Sequence, residues 1–95
     1  MAYARVTKFK MKSGSIDEAL IRMEGLKEKI LSQPGVLQFI NVANDDGTGY
    51  VISILESKEI AEANTKSLMA IWAAFADLLE GTPTPEGYEL RANWP

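Results

Sequence analysis

Hydrophobic and polar positions alternate along the first strand-like stretch, residues 2–11. Tyr3, Arg5, Thr7, Phe9 and Met11 fall on one face, and Ala4, Val6, Lys8 and Lys10 on the other. The period then changes. After a Ser13-Gly14 turn, Ile16, Ala19, Leu20, Met23, Leu26, Ile30 and Leu31 recur at three- and four-residue steps, the stripe of an amphipathic helix of about four turns. Ser15 and Glu18 spell a capping box at its start. Gln33-Pro34-Gly35 ends it, because Pro34 lacks an amide hydrogen and disfavours helical geometry at the residue before it.

Residues 36–43 and 50–56 are two further strands with apolar residues on both faces, joined through an Asp46-Gly47 step of the kind that closes hairpins. Ser57 is the next N-cap candidate, and a second helix is predicted to run to about Glu80. Its buried stripe comprises Ile60, Asn64, Leu68, Ile71, Trp72, Phe75, Leu78 and Leu79, and Gly81 fits its end. A loop rich in Pro and Thr follows. Residues 88–94 alternate as a half-buried edge strand, Tyr88, Leu90, Ala92 and Trp94 against Glu89, Arg91 and Asn93. Strand-helix-strand thus occurs twice around a central hairpin. With right-handed crossovers this predicts an α+β, ferredoxin-like βαββαβ fold, a four-stranded antiparallel sheet with two helices on one face. No linker or low-complexity segment interrupts it, so residues 1–95 read as one domain.

Two helices cover one face of such a sheet, yet the second and third strands are apolar on both. Stacking of two copies through their open sheet faces, closing a barrel-like core, resolves the mismatch. The alternative is a monomer whose open face is kept wet by Gln38, Asn41 and Ser53.

Composition removes much chemistry. The 95 residues include no Cys and no His, so thiolate and imidazole nucleophiles, bases and metal ligands are absent. Thirteen acidic residues against ten basic ones argue against a protein that tracks nucleic-acid phosphates. No apolar run approaches the roughly 18 residues of a membrane span and no signal-peptide core opens the chain, so the expectation is a cytoplasmic protein without membrane association.

With these elements in place the chain resembles the dimeric α/β-barrel superfamily, and within it the antibiotic-biosynthesis-monooxygenase (ABM) type of domain. The likeness is carried by the opening residues 2–10, Pro34-Gly35-Val36 entering the second strand and the Asp46-Gly47-Thr48 hairpin. Leu55-Glu56-Ser57-Lys58-Glu59 after the third strand and Tyr88-Glu89-Leu90 near the end add to it. The resemblance spans essentially the whole chain. It implies a homodimer and a pocket between sheet and helices that takes a small aromatic or carbonyl compound, with no cofactor. In several such oxygenases the third strand ends in a Trp, with an Asn four residues earlier or on the first strand. Here those third-strand positions hold Leu55 and Val51, and the first strand offers Arg5 or Thr7. The axial His of haem-degrading relatives has no counterpart.

The candidate substrate-binding residues are Trp72, Asn64, Met69, Phe75, Val51, Leu55 and Arg5; no catalytic residue and no metal ligand is assigned. Trp72, flanked by Met69 and Phe75, is either an aromatic pocket wall or core filling. Asn64, an amide on an apolar stripe, contacts either a ligand or a backbone group. Arg5, a cation amid a sheet, pairs with Glu56 or Glu89 or accepts an anionic substrate group. Ser53 offers a pocket hydroxyl without a base to activate it. Three functions fit: a cofactor-free monooxygenase-like enzyme, a non-catalytic or stress-related ligand-binding dimer, and a purely structural homodimer.

Overall fold

The computed structural model describes residues 1–95. Its elements are β1 (Tyr3–Lys10), α1 (Ile16–Gly25), α2 (Lys27–Leu31), β2 (Val36–Ala43), β3 (Thr48–Leu55), α3 (Lys58–Ala63), α4 (Thr65–Ala73) and β4 (Thr84–Glu89). The strands form one antiparallel sheet in the order β2-β3-β1-β4, the ferredoxin-like arrangement expected, with the helices packed on one face. No helix is long and apolar enough to cross a membrane.

Alternation decides which side chains face the helices. Register places Arg5 opposite Ser53, Thr7 opposite Val51 and Phe9 opposite Gly49. Phe9 and Val51 then join Ala19, Ile30, Ile71, Trp72, Phe75 and Leu78 in the core between sheet and helices. The opposite rows hold Ile40, Ile52 and Val6, then Val42, Tyr50 and Lys8. Of these, Ile40, Val42 and Tyr50 are 36%, 49% and 42% exposed, so an apolar strip lies open to solvent.

Four local expectations are corrected. The first concerns the capping box. Ser15 sits in helical geometry (φ −96°, ψ −4°), where its hydroxyl cannot turn back on the first amides, and it makes no capping bond. Glu18 instead pairs with Arg22 at 3.0 Å. Ser57, being extended (φ −158°, ψ 163°), does cap, accepting the Ile60 amide at 3.2 Å.

Neither long helix is continuous. The first breaks at Leu26, just after Gly25, and the second at Asn64. Beyond Ala73 the chain does not continue as α-helix towards Glu80. It descends in three-residue turns, with Phe75 N–H to the Trp72 carbonyl at 2.9 Å and Leu78 N–H to that of Phe75 at 2.8 Å. Those turns keep Phe75 and Leu78 buried, and they bring Leu79 into a bridge with Met11. Arg22 fastens them to α1 by donating to Asp77 Oδ1 at 2.6 Å and to the Ala74 carbonyl at 2.9 Å.

The last strand lies at Thr84–Glu89, upstream of the expected 88–94. Pro85 and Glu86 belong to it, which an edge strand permits because one side of its ladder is free. Residues past Glu89 leave that edge and cross one end of the open sheet face towards β2, Leu90 N–H reaching the Ala2 carbonyl at 3.0 Å and Asn93 reaching Gln38 at 3.3 Å.

Finally, Asn41 and Ser53 do not wet the open face. Ladder pairing slips between Val36 and Gln38, leaving Leu37 as a bulge. Phe39 and Asn41 then turn towards the helices while Gln38 and Ile40 face away.

Candidate functional site

The space between helices and sheet is not filled. An apolar cavity of about 70 Å³ remains there. A single water-sized sphere needs roughly 10–15 Å³ on such a measure, so the space holds several heavy atoms. Its floor is sheet: Phe9 from β1, Phe39 from β2, Val51 and Leu55 from β3. Trp72 and Phe75 form the opposite wall, with Ala19 and Met23 of α1 at the side and Leu20, 45% exposed, at the rim.

Trp72 occupies the wall for a reason visible in its neighbours. α4 restarts at Thr65, so Leu68, Ile71 and Trp72 form its inward stripe, and Phe75 in the turns after Ala73 extends it. Trp72 meets Phe9 at 5.6 Å between ring centroids, tilted by 47°, and Phe75 at 6.3 Å and 62°, near the edge-to-face arrangement aromatic pairs favour. It is at once core and cavity wall.

Five of the seven candidate residues line the cavity: Trp72, Phe75, Val51, Leu55 and Arg5. Met69 does not. It is 48% exposed, because the inward stripe of α4 passes through Leu68 on one side of it. Asn64 does not line the cavity either. It is 5% exposed and its Nδ2 donates to the Pro34 carbonyl at 2.8 Å, tying the α3–α4 junction to the turn before β2. Of the two readings of Asn64, the backbone partner is the one observed.

Four polar side chains interrupt the apolar lining: Arg5, Gln33, Asn41 and Ser53. Arg5 has neither expected partner. Glu89 pairs with Arg91 at 3.1 Å, and Arg5 forms no ion pair. One guanidinium nitrogen donates to the Ala61 carbonyl of α3. Burial lowers the Arg5 pKa from its ordinary value, with the nearby Tyr3 acting the other way; the group stays a cation. Tyr3 is held close by a neighbour without a side chain, since a Cβ on Gly87 would collide with the Tyr3 ring and hydroxyl.

Asn41, which sequence reasoning placed on the open face, is the second polar feature of interest. Its Nδ2 donates to Met23 Sδ at 3.2 Å, while its Oδ1 is buried with no partner. Thr7 Oγ1 is also buried and unpartnered but does not line the cavity. Strict alternation along β2 already separates Asn41 from Gln38, and that signal would have found it. Phe9 was legible in the same way, two residues from Thr7 on the Arg5 face.

No protein-family model and no curated protein matches the sequence. Solved structures do. A variant of SnoaB, a cofactor-independent oxygenase from Streptomyces nogalater, superposes with a TM-score of 0.77 at 14% identity, covering 99% of this chain and 97% of that one. A protein of unknown function from Nitrosomonas europaea gives a TM-score of 0.80 at 18% identity over 99% and 94% of the two chains. An antibiotic biosynthesis monooxygenase gives 0.73 at 15% identity over 95% and 99%. At these identities the likeness establishes a shared fold with proteins of that kind and nothing of activity.

Proposed function

We propose that this chain, with its ABM-type fold, is a cofactor-independent oxygenase of small planar carbon acids, working as a homodimer joined through the open sheet faces. The observation that carries the reading is the cavity itself. An aromatic-walled space between sheet and helices contains a lone cation, Arg5.

The lining offers no imidazole or thiolate, so the substrate must bring its own acidity, as an anthrone does. Exclusion of water strengthens the field of Arg5 on an oxyanion developing in the substrate, and the apolar walls orient the ring. The enolate then supplies electrons to dioxygen. An activated methylene becomes a carbonyl, one oxygen atom enters the product and the other leaves as water with the two displaced hydrogens. The substrate is the reductant throughout. The dimer is supported by the exposed strip of Ile40, Val42 and Tyr50, which a second copy would shelter.

Oxygen uptake with a panel of hydroxylated anthrones and quinols, with and without added metal, tests the reading. Uptake matched by incorporation of one labelled oxygen atom into product supports it; no uptake across the panel overturns it. The absence of Trp and Asn at Leu55 and Val51 favours a second reading, a non-catalytic dimer that binds the same class of compound. Binding without turnover selects that one.

A further inference from the structure

The cavity has a neighbour. A groove of about 220 Å³ lies beside it, lined by Met23 and Glu24 of α1, Lys27, Ile30 and Leu31 of α2, and Phe39 of β2. Met23, Ile30 and Phe39 line both spaces, so these three side chains are the partition between them. Leu20 at the cavity rim and Glu24 in the groove stand one turn apart on α1, which places rim and groove on the same side of that helix, at the β2 edge of the sheet. The inner space is small. Its 70 Å³ amounts to roughly five to seven water-sized spheres, so one ring with its oxygen fills it and a fused second ring overfills it.

Of the three partition residues, Met23 is the one built to move. Ile30 is 7% exposed and part of the core, and Phe39 is fixed on its strand opposite Ser53. Met23 is half-buried, unbranched and flexible, on a helix of which Ala19 alone is fully buried. Its catch is a single weak hydrogen bond, Asn41 Nδ2 to Met23 Sδ at 3.2 Å. The row Arg5-Ser53-Phe39 crosses from β1 to β2 over two strand spacings, about 10 Å, so a ligand whose oxyanion sits at Arg5 directs its other end towards this partition.

We infer that Met23 is the gate of the site and sets the size of its ligand: the oxygen-bearing ring occupies the inner cavity, and a fused second ring passes a displaced Met23 into the groove. The ligand class is fused-ring, not single-ring. This deepens the preceding reading and rests on it, since it requires the cavity to be a ligand site, and it leaves Arg5 the role given there.

Phenol and 2-naphthol, titrated calorimetrically, test the inference. The naphthol should bind the unmutated protein about tenfold more tightly. Leu31 lines the groove and not the cavity, and it is 49% exposed, so a charge placed there alters the groove alone. Leu31→Asp should weaken 2-naphthol about tenfold and leave phenol within about a factor of two. Met23→Ala, with the gate removed, should admit 2-naphthol about tenfold faster in stopped-flow fluorescence. Naphthol binding no tighter than phenol, or a Leu31→Asp effect equal on the two probes, overturns the inference while leaving the cavity a ligand site. An unchanged association rate in Met23→Ala overturns it as well. If neither probe binds, the cavity reading falls, and this inference with it.

Discussion

Replacing Asn64 by Ala separates a structural amide from a ligand-binding one. The side chain is 5% exposed and its one hydrogen bond runs 2.8 Å to the Pro34 carbonyl, across 30 residues of chain. A neutral hydrogen bond contributes about 0.5–1.5 kcal/mol net, and a buried acceptor left bare costs about 1–3 kcal/mol. Pro34 is itself exposed, so water can partly satisfy the orphaned carbonyl and the lower part of that range applies. Gly35 adds to the effect from the other side. It packs so tightly that a Cβ there would lie 2.6 Å from Ile60, so the turn and α3 move together. A loss of about 1–2 kcal/mol is expected. With a urea slope near 1 kcal/mol/M for a domain of this size, the midpoint falls by about 1–2 M at fixed protein concentration. Affinity for aromatic probes, measured well below the transition, should stay within a factor of about two, a margin well under 1 kcal/mol. An unchanged midpoint together with a large loss of affinity would refute the reasoning and return Asn64 to the site.

Other outcomes follow from the same geometry. Val42→Asp, placing a charge in the exposed strip, should convert a species of twice the 10.5 kDa chain mass into a monomer in sedimentation at micromolar concentration; a wild-type protein already monomeric there removes the dimer. Trp72→Phe should keep the fold, lose about 1–2 kcal/mol of stability and weaken aromatic ligands, and unchanged affinity for every aromatic tested would end its role as a wall. Arg22 holds the Asp77 carboxyl below its ordinary value, chiefly through their hydrogen bond, so that pair stabilises the fold fully above about pH 4 and is lost as pH falls through the lowered pKa. Asp77→Asn should therefore flatten the acid limb of a stability–pH profile, and a limb of unchanged slope would show that the clasp contributes nothing. Gly47 has φ +94° and would set a Cβ 2.1 Å from the Met11 carbonyl oxygen, so Gly47→Ala should destabilise by more than about 1 kcal/mol in the same urea assay.

Much of this was legible along the chain, and the remainder failed for identifiable reasons. Alternation in 2–11, 36–43 and 50–56 and the stripes beginning at Ile16 and Ile60 are local signals, and they determined the order of elements, the hairpin at Asp46-Gly47 and the ferredoxin-like topology. The same alternation grouped Val51 with Leu55 on one face of the third strand and Arg5 with Phe9 on one face of the first, and helical spacing put Trp72 and Phe75 on one stripe, but which sheet face meets the helices was decided by packing. Tertiary structure decided where periodicity stopped being obeyed. The break at Asn64 accompanies a bond to Pro34, the turns after Ala73 are fastened by Arg22, and Pro85 enters a strand because β4 is an edge strand with one side of its ladder free. It also decided which polar groups were left over. Whether Arg5 found a carboxylate, and whether Asn41 Oδ1 found a donor, depends on residues distant in sequence meeting within hydrogen-bond range. A pattern of periods carries the direction in which a side chain points, while the partner waiting there is set by the packing of the whole chain.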